Sequence, residues 1–207
     1  DDAGEETFDR TYGAEAVPTA LSETGDGFLV AGTGNFRSAW VLRTDADGEP
    51  VLNETYEGGG DVRVAGAVPT DDGGAVLAGH HRAAFGSVDP APWAARVDGD
   101  GVQEWNRVYP TGERTRVRDA FATEDGVVLV GSDRTEWGDE TVSRLVGVGL
   151  DGTELFQANA SADGRTVAAT GDGDAVTVAT TNYRERNASS ATTTLELPES
   201  EANGGLD

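Results

Sequence analysis

Three arginines recur at equivalent points of a repeating sequence, and they are the first candidates for binding chemistry. Arg63, Arg116 and Arg165 each precede an apolar run, and they are about fifty residues apart. A guanidinium group carries N–H donors in a planar fork that matches a carboxylate or a sulfate. Their recurrence predicts a ring of forks that would hold an anionic ligand such as an acidic sugar.

A second group of candidates lies in the longer segments between apolar runs. These segments combine guanidinium forks, aromatic faces for stacking and both histidines of the chain. The residues are Arg82, Arg134, Arg184, Trp137, Tyr183, His80 and His81. Two interpretations stay open for the arginines, a ligand site or local ion pairs with neighbouring Asp and Glu. The histidines could contact a metal or a substrate, although solvated loop histidines are the simpler interpretation.

Other familiar catalytic and metal-binding patterns are weak. Asp45–Gly48 and Asp98–Gly101 begin like calcium loops, but calcium needs six or more oxygen ligands, and Asp-Gly pairs are also hairpin turns. Gly147–Gly152 spells GxGxxG, yet its third glycine lies in an expected hairpin turn instead of at the start of a helix. The sequence contains no GxSxG. We therefore predict no catalytic residue and no cofactor, with calcium as the open alternative.

The composition excludes several classes of function. Thirty-eight Asp and Glu oppose 15 basic residues, which gives a formal net charge of −23. Such a chain would repel nucleic-acid phosphates and anionic membrane surfaces. Without cysteine it has no disulfide, thiol nucleophile or zinc-thiolate site. Every basic residue is arginine, and this acidity without lysine resembles the proteins of salt-loving archaea.

The elements that would position these side chains repeat along the chain. A short apolar run, an acidic Gly turn and a second run follow one another at Ala20, Ala67, Ala120 and Ala168. A further pair of runs around an Asp-Gly turn follows, so each unit contains four strands and no helix. Four strands in a period near fifty residues are typical of propeller blades. The predicted fold is all-β, a β-propeller with four blades of four antiparallel strands.

The two ends of the chain complement each other. Phe8–Tyr12 matches the outer strands that end at Tyr56 and Tyr109, whereas the last unit lacks an outer strand. The N-terminal strand, at residues 6–12, is therefore predicted to complete the last blade and close the ring. One domain spans residues 1–207, with repeats at about 13–56, 57–109, 110–160 and 161–197. A fragment of a larger propeller stays an alternative, as does a ring built from two copies.

Short motifs within the unit fit a known repeat. They are Thr55-Tyr56-Glu57-Gly58, Asp72-Gly73-Gly74, Leu77-Ala78-Gly79, and Trp93 to Asp98 with Gly101. These motifs resemble the DGG-type propeller repeats of secreted or surface-attached archaeal and bacterial proteins. The resemblance implies a propeller at an extracellular location, and it brings no catalytic residue with it.

The order of strands in a propeller predicts two unlike faces, one with the arginine-bearing loops and one with acidic Asp-Gly turns. Loops on a rigid scaffold are where binding usually resides. We therefore predict a non-catalytic module, secreted or at the cell surface, whose Arg and aromatic loop face binds an anionic glycan or a surface protein. Two alternatives stay open. One is a carbohydrate-active enzyme, lyase or hydrolase, that uses His80 or His81 with a neighbouring carboxylate on the same face, and the other is a structural spacer of an envelope assembly.

Three Asn-x-Ser/Thr triplets permit N-glycosylation if the protein is exported. They begin at Asn53, Asn159 and Asn187. No stretch is apolar for long enough to insert directly into a membrane. The protein is expected to be a monomer, with a dimer as the alternative.

Overall fold

The computed structural model describes residues 8–13, 15–82, 90–134, 141–163, 165–171, 175–184 and 187–197. These residues form 15 strands and one short 3₁₀ helix, Asn35–Arg37. The first sheet contains β1 (Ala16–Thr24), β2 (Gly27–Gly34), β3 (Ala39–Asp45) and β4 (Pro50–Tyr56). The second contains β5 (Asp61–Pro69), β6 (Ala75–Arg82), β7 (Ala91–Val97) and β8 (Gln103–Val108). The third contains β9 (Arg114–Thr123), β10 (Gly126–Arg134), β11 (Thr141–Gly149) and β12 (Glu154–Asp163). The fourth contains β13 (Arg165–Gly171), β14 (Ala175–Arg184) and β15 (Asn187–Glu196).

Every sheet is antiparallel, and its strands lie side by side in chain order. This confirms the predicted all-β fold and the four-stranded composition of three of the four sheets. The fourth sheet has three described strands, and the described residues 8–13 join no sheet. The described part of the chain contains no helix that is long and apolar enough to cross a membrane.

The acidic turns are hairpins stabilised by their first aspartate. Asp45 Oδ1 accepts hydrogen bonds from the backbone N–H groups of Asp47, at 3.0 Å, and Glu49, at 2.8 Å. Asp98 Oδ1 repeats this pattern in the second sheet. The glycine that follows each turn has a positive φ, 78° at Gly48, which side chains disfavour. Among the described residues no cluster of three or more acidic or histidine side chains is placed to hold a metal ion.

The GxGxxG stretch lies where the sequence predicted it, in a turn between two strands. Strand β11 ends at Gly149 and strand β12 begins at Glu154. Gly152 donates its N–H to the Gly149 carbonyl at 2.8 Å and closes the turn. Among the described residues no helix begins after this loop, because strand β12 follows it, so the stretch lacks the context of a dinucleotide fingerprint.

Neighbouring sheets pack face to face because successive side chains of each strand point to opposite faces. On β6, Leu77 packs into the core shared with the first sheet, whereas Val76 and Ala78 pack into the core shared with the third. A third core joins the third and fourth sheets around Val128 and Leu145. The alternating apolar pattern of the sequence thus becomes a row of three cores.

The innermost strands β1, β5, β9 and β13 each contain a β-bulge at the same repeat position. The extra residue is Thr19, Ala65, Arg118 or Val167. Strands β5 and β9 approach so closely that a Cβ on Gly66 would lie 3.0 Å from the Ala120 backbone nitrogen. This close approach explains why small residues dominate the innermost strands.

A tyrosine at the end of one outer strand binds the turn of the next sheet. The phenol O–H of Tyr56 donates to the Gly101 carbonyl at 2.9 Å, and that of Tyr109 donates to the Gly152 carbonyl at 2.9 Å. Tyr12 makes the same bond to the Gly48 carbonyl at 2.8 Å. The segment 8–13 therefore packs on the first sheet as an outer strand of a preceding blade would, although it is not a strand there.

Candidate functional site

The three repeated arginines lie at equivalent positions in three antiparallel strand pairs, β5–β6, β9–β10 and β13–β14. Arg63 pairs with His80, Arg116 with Ser132, and Arg165 with Thr181, in each case just before the bulge of the innermost strand. In the first sheet Val17 takes this position, opposite Thr33. The sites of the three arginines thus follow the register of the repeat.

His80 is the centre of a cationic group that we call the arginine cluster: Arg63, Arg82, Arg116, Arg118 and Arg165, with His80. The imidazole shares the face of β6 that carries Val76 and Ala78, so it points towards β9. Burial, followed by the charges of Arg116, Arg118, Arg82 and Arg63, lowers the pKa of His80 from 6.5 to about 4. His80 is therefore uncharged at neutral pH.

The arginines also act on one another. Burial, then the charges of Arg165 and Arg116, lower the pKa of Arg118. Guanidinium groups do not lose their proton in proteins, so the lowered pKa reports a partly buried guanidinium group that lies close to other positive charges. In a chain with a formal net charge of −23, such a concentration of cations calls for an explanation.

Three polar atoms of the arginine cluster are buried and have no hydrogen-bond partner within the part of the chain that the structure describes. They are Nδ1 of His80, Nε of Arg82 and Nε of Arg118. A buried polar atom without a partner costs about 1–3 kcal/mol. A ligand, an ordered water or an ion can complete the hydrogen bonds of such groups.

His80 stands at a repeat position where the first and third sheets carry a hydroxyl group that bonds to the next sheet. Thr33 Oγ1 accepts the backbone N–H of Val64 at 3.1 Å, and Ser132 Oγ accepts that of Thr166 at 2.8 Å. His80 occupies the same repeat position in the second sheet, but its Nδ1 makes no such bond. The bond that joins neighbouring sheets at Thr33 and Ser132 is therefore missing at His80, which lies within the arginine cluster.

A cavity of about 720 Å³ opens beside the cluster, between the first and second sheets. Glu15, Arg37 and Arg63 contribute to its lining. Arg37 and Arg63 also hold Asp61, at 2.5 Å and 3.7 Å, and the Asp61 side chain is only 12% exposed. Arg63 therefore lines the cavity and also lies opposite His80 in the β5–β6 pair. Two carboxylates, Glu15 and Asp61, lie on the same side of the molecule.

The remaining predicted residues are not brought together with His80. His81 points to the opposite face of β6, and a Cβ on Gly60 would lie 2.3 Å from its Nε2. Arg134 and Arg184 end strands β10 and β14. Their side chains, and that of Tyr183, lie outside the described residues, as does Trp137.

Arg118 is the residue that sequence reasoning missed. It has no arginine counterpart in the other sheets, where Thr19, Ala65 and Val167 occupy the bulge. The alternating run Arg114-x-Arg116-x-Arg118 was the available signal. Only the bulge, which re-aims a side chain next to its strand, brings Arg118 close to His80.

The predicted separation of an arginine face from an acidic face is incomplete. Arg96 binds Asp72 at 2.6 Å and Glu104 at 3.0 Å among the acidic turns. Arg43 donates to the Gly73 carbonyl there and lines a second cavity of about 510 Å³. Guanidinium groups therefore lie among the acidic turns as well, where Arg96 forms ion pairs.

One glycosylation candidate has a structural role. The Trp40 indole N–H donates to Asn53 Oδ1 at 2.8 Å, as Trp93 does to Asn106 at 2.7 Å. Asn159 is exposed on β12, and Asn187 begins β15 with its side chain outside the described residues. Glycosylation of these residues stays a prediction.

The chain matches no known family profile and no curated protein. Among solved structures, it is similar to a GH32 β-fructofuranosidase of Bombyx mori, determined as a mutant in complex with sucrose. The TM-score is 0.51 at 12% sequence identity, and the match covers 90% of this chain and 48% of that one. At this identity the likeness shows the fold, and the chain spans about half the length of the enzyme.

The prediction of a non-catalytic binding module is wrong in the light of this comparison. One solved structure with a similar fold is an enzyme. The error has a clear origin, because a propeller repeat contains no catalytic motif and its chemistry is carried by residues that depart from the repeat.

Proposed function

We propose that the chain is the propeller of a carbohydrate-active enzyme, a glycan lyase or hydrolase, which acts at the arginine cluster. The observation that carries this proposal is His80, an uncharged imidazole with a partnerless Nδ1 inside a group of cations. The similar fold of a β-fructofuranosidase bound to sucrose supports carbohydrate as the class of substrate.

The cluster combines the two functions that such chemistry requires. An uncharged imidazole can accept a proton in a transition state. The surrounding guanidinium groups stabilise negative charge that develops on the substrate. The cavity beside Arg63 provides room for a sugar, and Glu15 contributes a carboxylate to its lining.

The test is the release of new reducing ends from a panel of neutral and acidic polysaccharides. We expect His80→Ala to lower kcat/KM by about 10²–10⁴-fold, the usual contribution of general acid–base catalysis. His81→Ala is the matched control and should retain activity within about threefold, because its side chain points to the other face of β6. No turnover of any polysaccharide, or an equal loss in both variants, would contradict the proposal.

We also propose that the four sheets close into a ring, with the segment 8–12 as the outer strand of the fourth blade. The three described strands of the fourth sheet support this, as does the Tyr12 bond that repeats the bonds of Tyr56 and Tyr109. Closure would remove the exposed edge of β15. An extracellular, saline environment is likewise a proposal, supported by the acidic composition.

A further inference from the structure

We propose that the substrate is a uronate-containing glycan, cleaved by β-elimination with His80 as the base and Arg118 and Arg82 as the carboxylate clamp. This inference rests on the proposed function and names its substrate class and reaction. A lyase and a hydrolase leave different products, so the two proposals can be tested separately.

The first argument is charge. Five guanidinium groups form the arginine cluster, and Asp61 lies 3.7 Å from one of them, Arg63. On the other side of His80, the Nε atoms of Arg82 and Arg118 are buried and have no hydrogen-bond partner among the described residues. A bound carboxylate would accept from these donors and relieve the repulsion around Arg118. A neutral sugar would bring no charge to compensate the cluster.

The second argument is reactivity. The hydrogen on C5 of a uronate lies next to the carboxylate, and neutralising that carboxylate makes the hydrogen more acidic. His80 takes the C5 proton, the released electron pair forms the C4=C5 double bond, and the bond from C4 to the glycosidic oxygen breaks. The departing oxygen receives a proton from the imidazolium or from water. The products are one chain with an unsaturated uronate at its end and one chain with a new reducing end, and no oxidant or reductant is involved.

The third argument is the protonation state of the base. Arg63 faces His80 from β5, Arg82 from β6 itself, and Arg116 and Arg118 from β9, and all four stay charged over the working pH range. Burial, and then these charges, lower the pKa of the free imidazole from 6.5 to about 4. Binding of an anion offsets these charges and raises the proton affinity of His80 when the substrate is in place. The acid limb of kcat/KM for the free enzyme should therefore lie near pH 4.

The experiment uses two uronate polymers, polygalacturonate and hyaluronan, and the neutral fructan inulin. Reducing ends are measured together with the ultraviolet absorbance of the new double bond conjugated to the carboxylate. We expect both signals to rise together with at least one uronate polymer and neither to rise with inulin. Reducing ends without absorbance would overturn the elimination and leave the proposed enzyme function standing. No reducing ends with any polymer would overturn both.

The carboxylate clamp is tested by Arg118→Gln, which removes the charge and keeps much of the side-chain volume. Loss of hydrogen bonds to a charged group should lower kcat/KM on the uronate polymer by about 10–100-fold. Arg43→Gln is the matched control, because Arg43 also has a buried, partnerless Nε but lines the other cavity. Arg82→Gln, which changes the other residue of the clamp, provides a second test if Arg118→Gln unfolds. Equal activity of the cluster variants and the Arg43→Gln control would overturn the clamp.

Discussion

At the scale of single residues, His80 stands where the adjacent sheets carry a hydroxyl. Thr33 and Ser132 accept a backbone N–H of the next sheet, and this bond joins the sheets at the innermost strands. An imidazole that makes no such bond forfeits this stabilisation, and it lies among guanidinium groups. Residues that weaken a fold at one point are often retained for function. His80 is therefore more informative than the repeated arginines, because it breaks the pattern of its own repeat.

The prediction at this scale is that His80→Thr stabilises the protein and inactivates it. The threonine hydroxyl can accept the N–H of β9 as Thr33 accepts that of β5, and the free energy of unfolding should rise by about 0.5–1.5 kcal/mol. Turnover should fall as it does in His80→Ala. Urea unfolding and reducing-end assays on the same preparation measure both effects. A less stable variant would show that His80 has a structural role that the hydroxyl cannot replace.

At the scale of elements, each strand follows from its own alternating sequence. Neighbouring sheets are then linked by side chains that reach from one sheet to the next. Tyr56 and Tyr109 each end an outer strand and bind the turn of the following sheet. Burial is the main reason why the pKa of Tyr56 rises from 10.0 to about 12, with further contributions from Glu54 and Asp98. Burial also raises the pKa of Tyr109 above its usual range. Both phenols must stay protonated for these links to hold.

The corresponding prediction is a loss of stability at high pH. A group whose pKa is higher in the folded than in the unfolded state contributes stability that is complete below the unfolded pKa. For Tyr56 this contribution should be lost as the pH rises from 10.0 to about 12. Urea unfolding across this window should show a falling free energy in the parent and a shallower fall in Tyr56→Phe/Tyr109→Phe. Identical slopes would show that the phenols stay accessible to water in the folded state.

At the scale of the whole molecule, the central issue is how the first and fourth sheets meet. The side chains of Val17 and Leu21 are 67% and 70% exposed on β1, and Val167 is 49% exposed on β13. The hydroxyl bond between sheets has no counterpart at this seam, because the equivalent donor position is Pro18, which has no N–H. Closure would therefore depend on pairing of the segment 8–12 with β15.

The register of the repeat predicts which residues would lie opposite each other in a closed ring. Thr55 lies opposite Trp40 and Val108 lies opposite Trp93, so Thr11 should lie opposite Ala191 in a closed ring. The chain has no native cysteine, and Thr11→Cys/Ala191→Cys should form an intramolecular disulfide under mild oxidation. Thr11→Cys/Thr194→Cys is the out-of-register control and should not. Cross-linking only between two molecules would indicate a ring built from two copies, and no cross-link would contradict closure.

The candidate site was only partly accessible to sequence reasoning, for a physical reason. Arg63, Arg116 and Arg165 were identified because they repeat, and His80 because it is one of two histidines. The difference between His80 and His81 depends on which face of β6 each occupies, and that is set by the register against β5 and β7. Arg118 depends on a bulge, which has no reliable mark in the sequence. A functional assignment from the repeat alone failed because the repeat describes the scaffold.

The strands, the hairpin turns, the grouping of strands into four sheets and the acidic character of the protein could all be predicted from the order of its residues. These follow from local rules, namely alternating apolar residues, Asp-Gly turns and the sum of the side-chain charges. The tertiary structure decided which side chains meet: four guanidinium groups around an uncharged His80, and Tyr12 on Gly48. Such encounters join residues from different sheets, and only the packing of the sheets brings them within reach of one another.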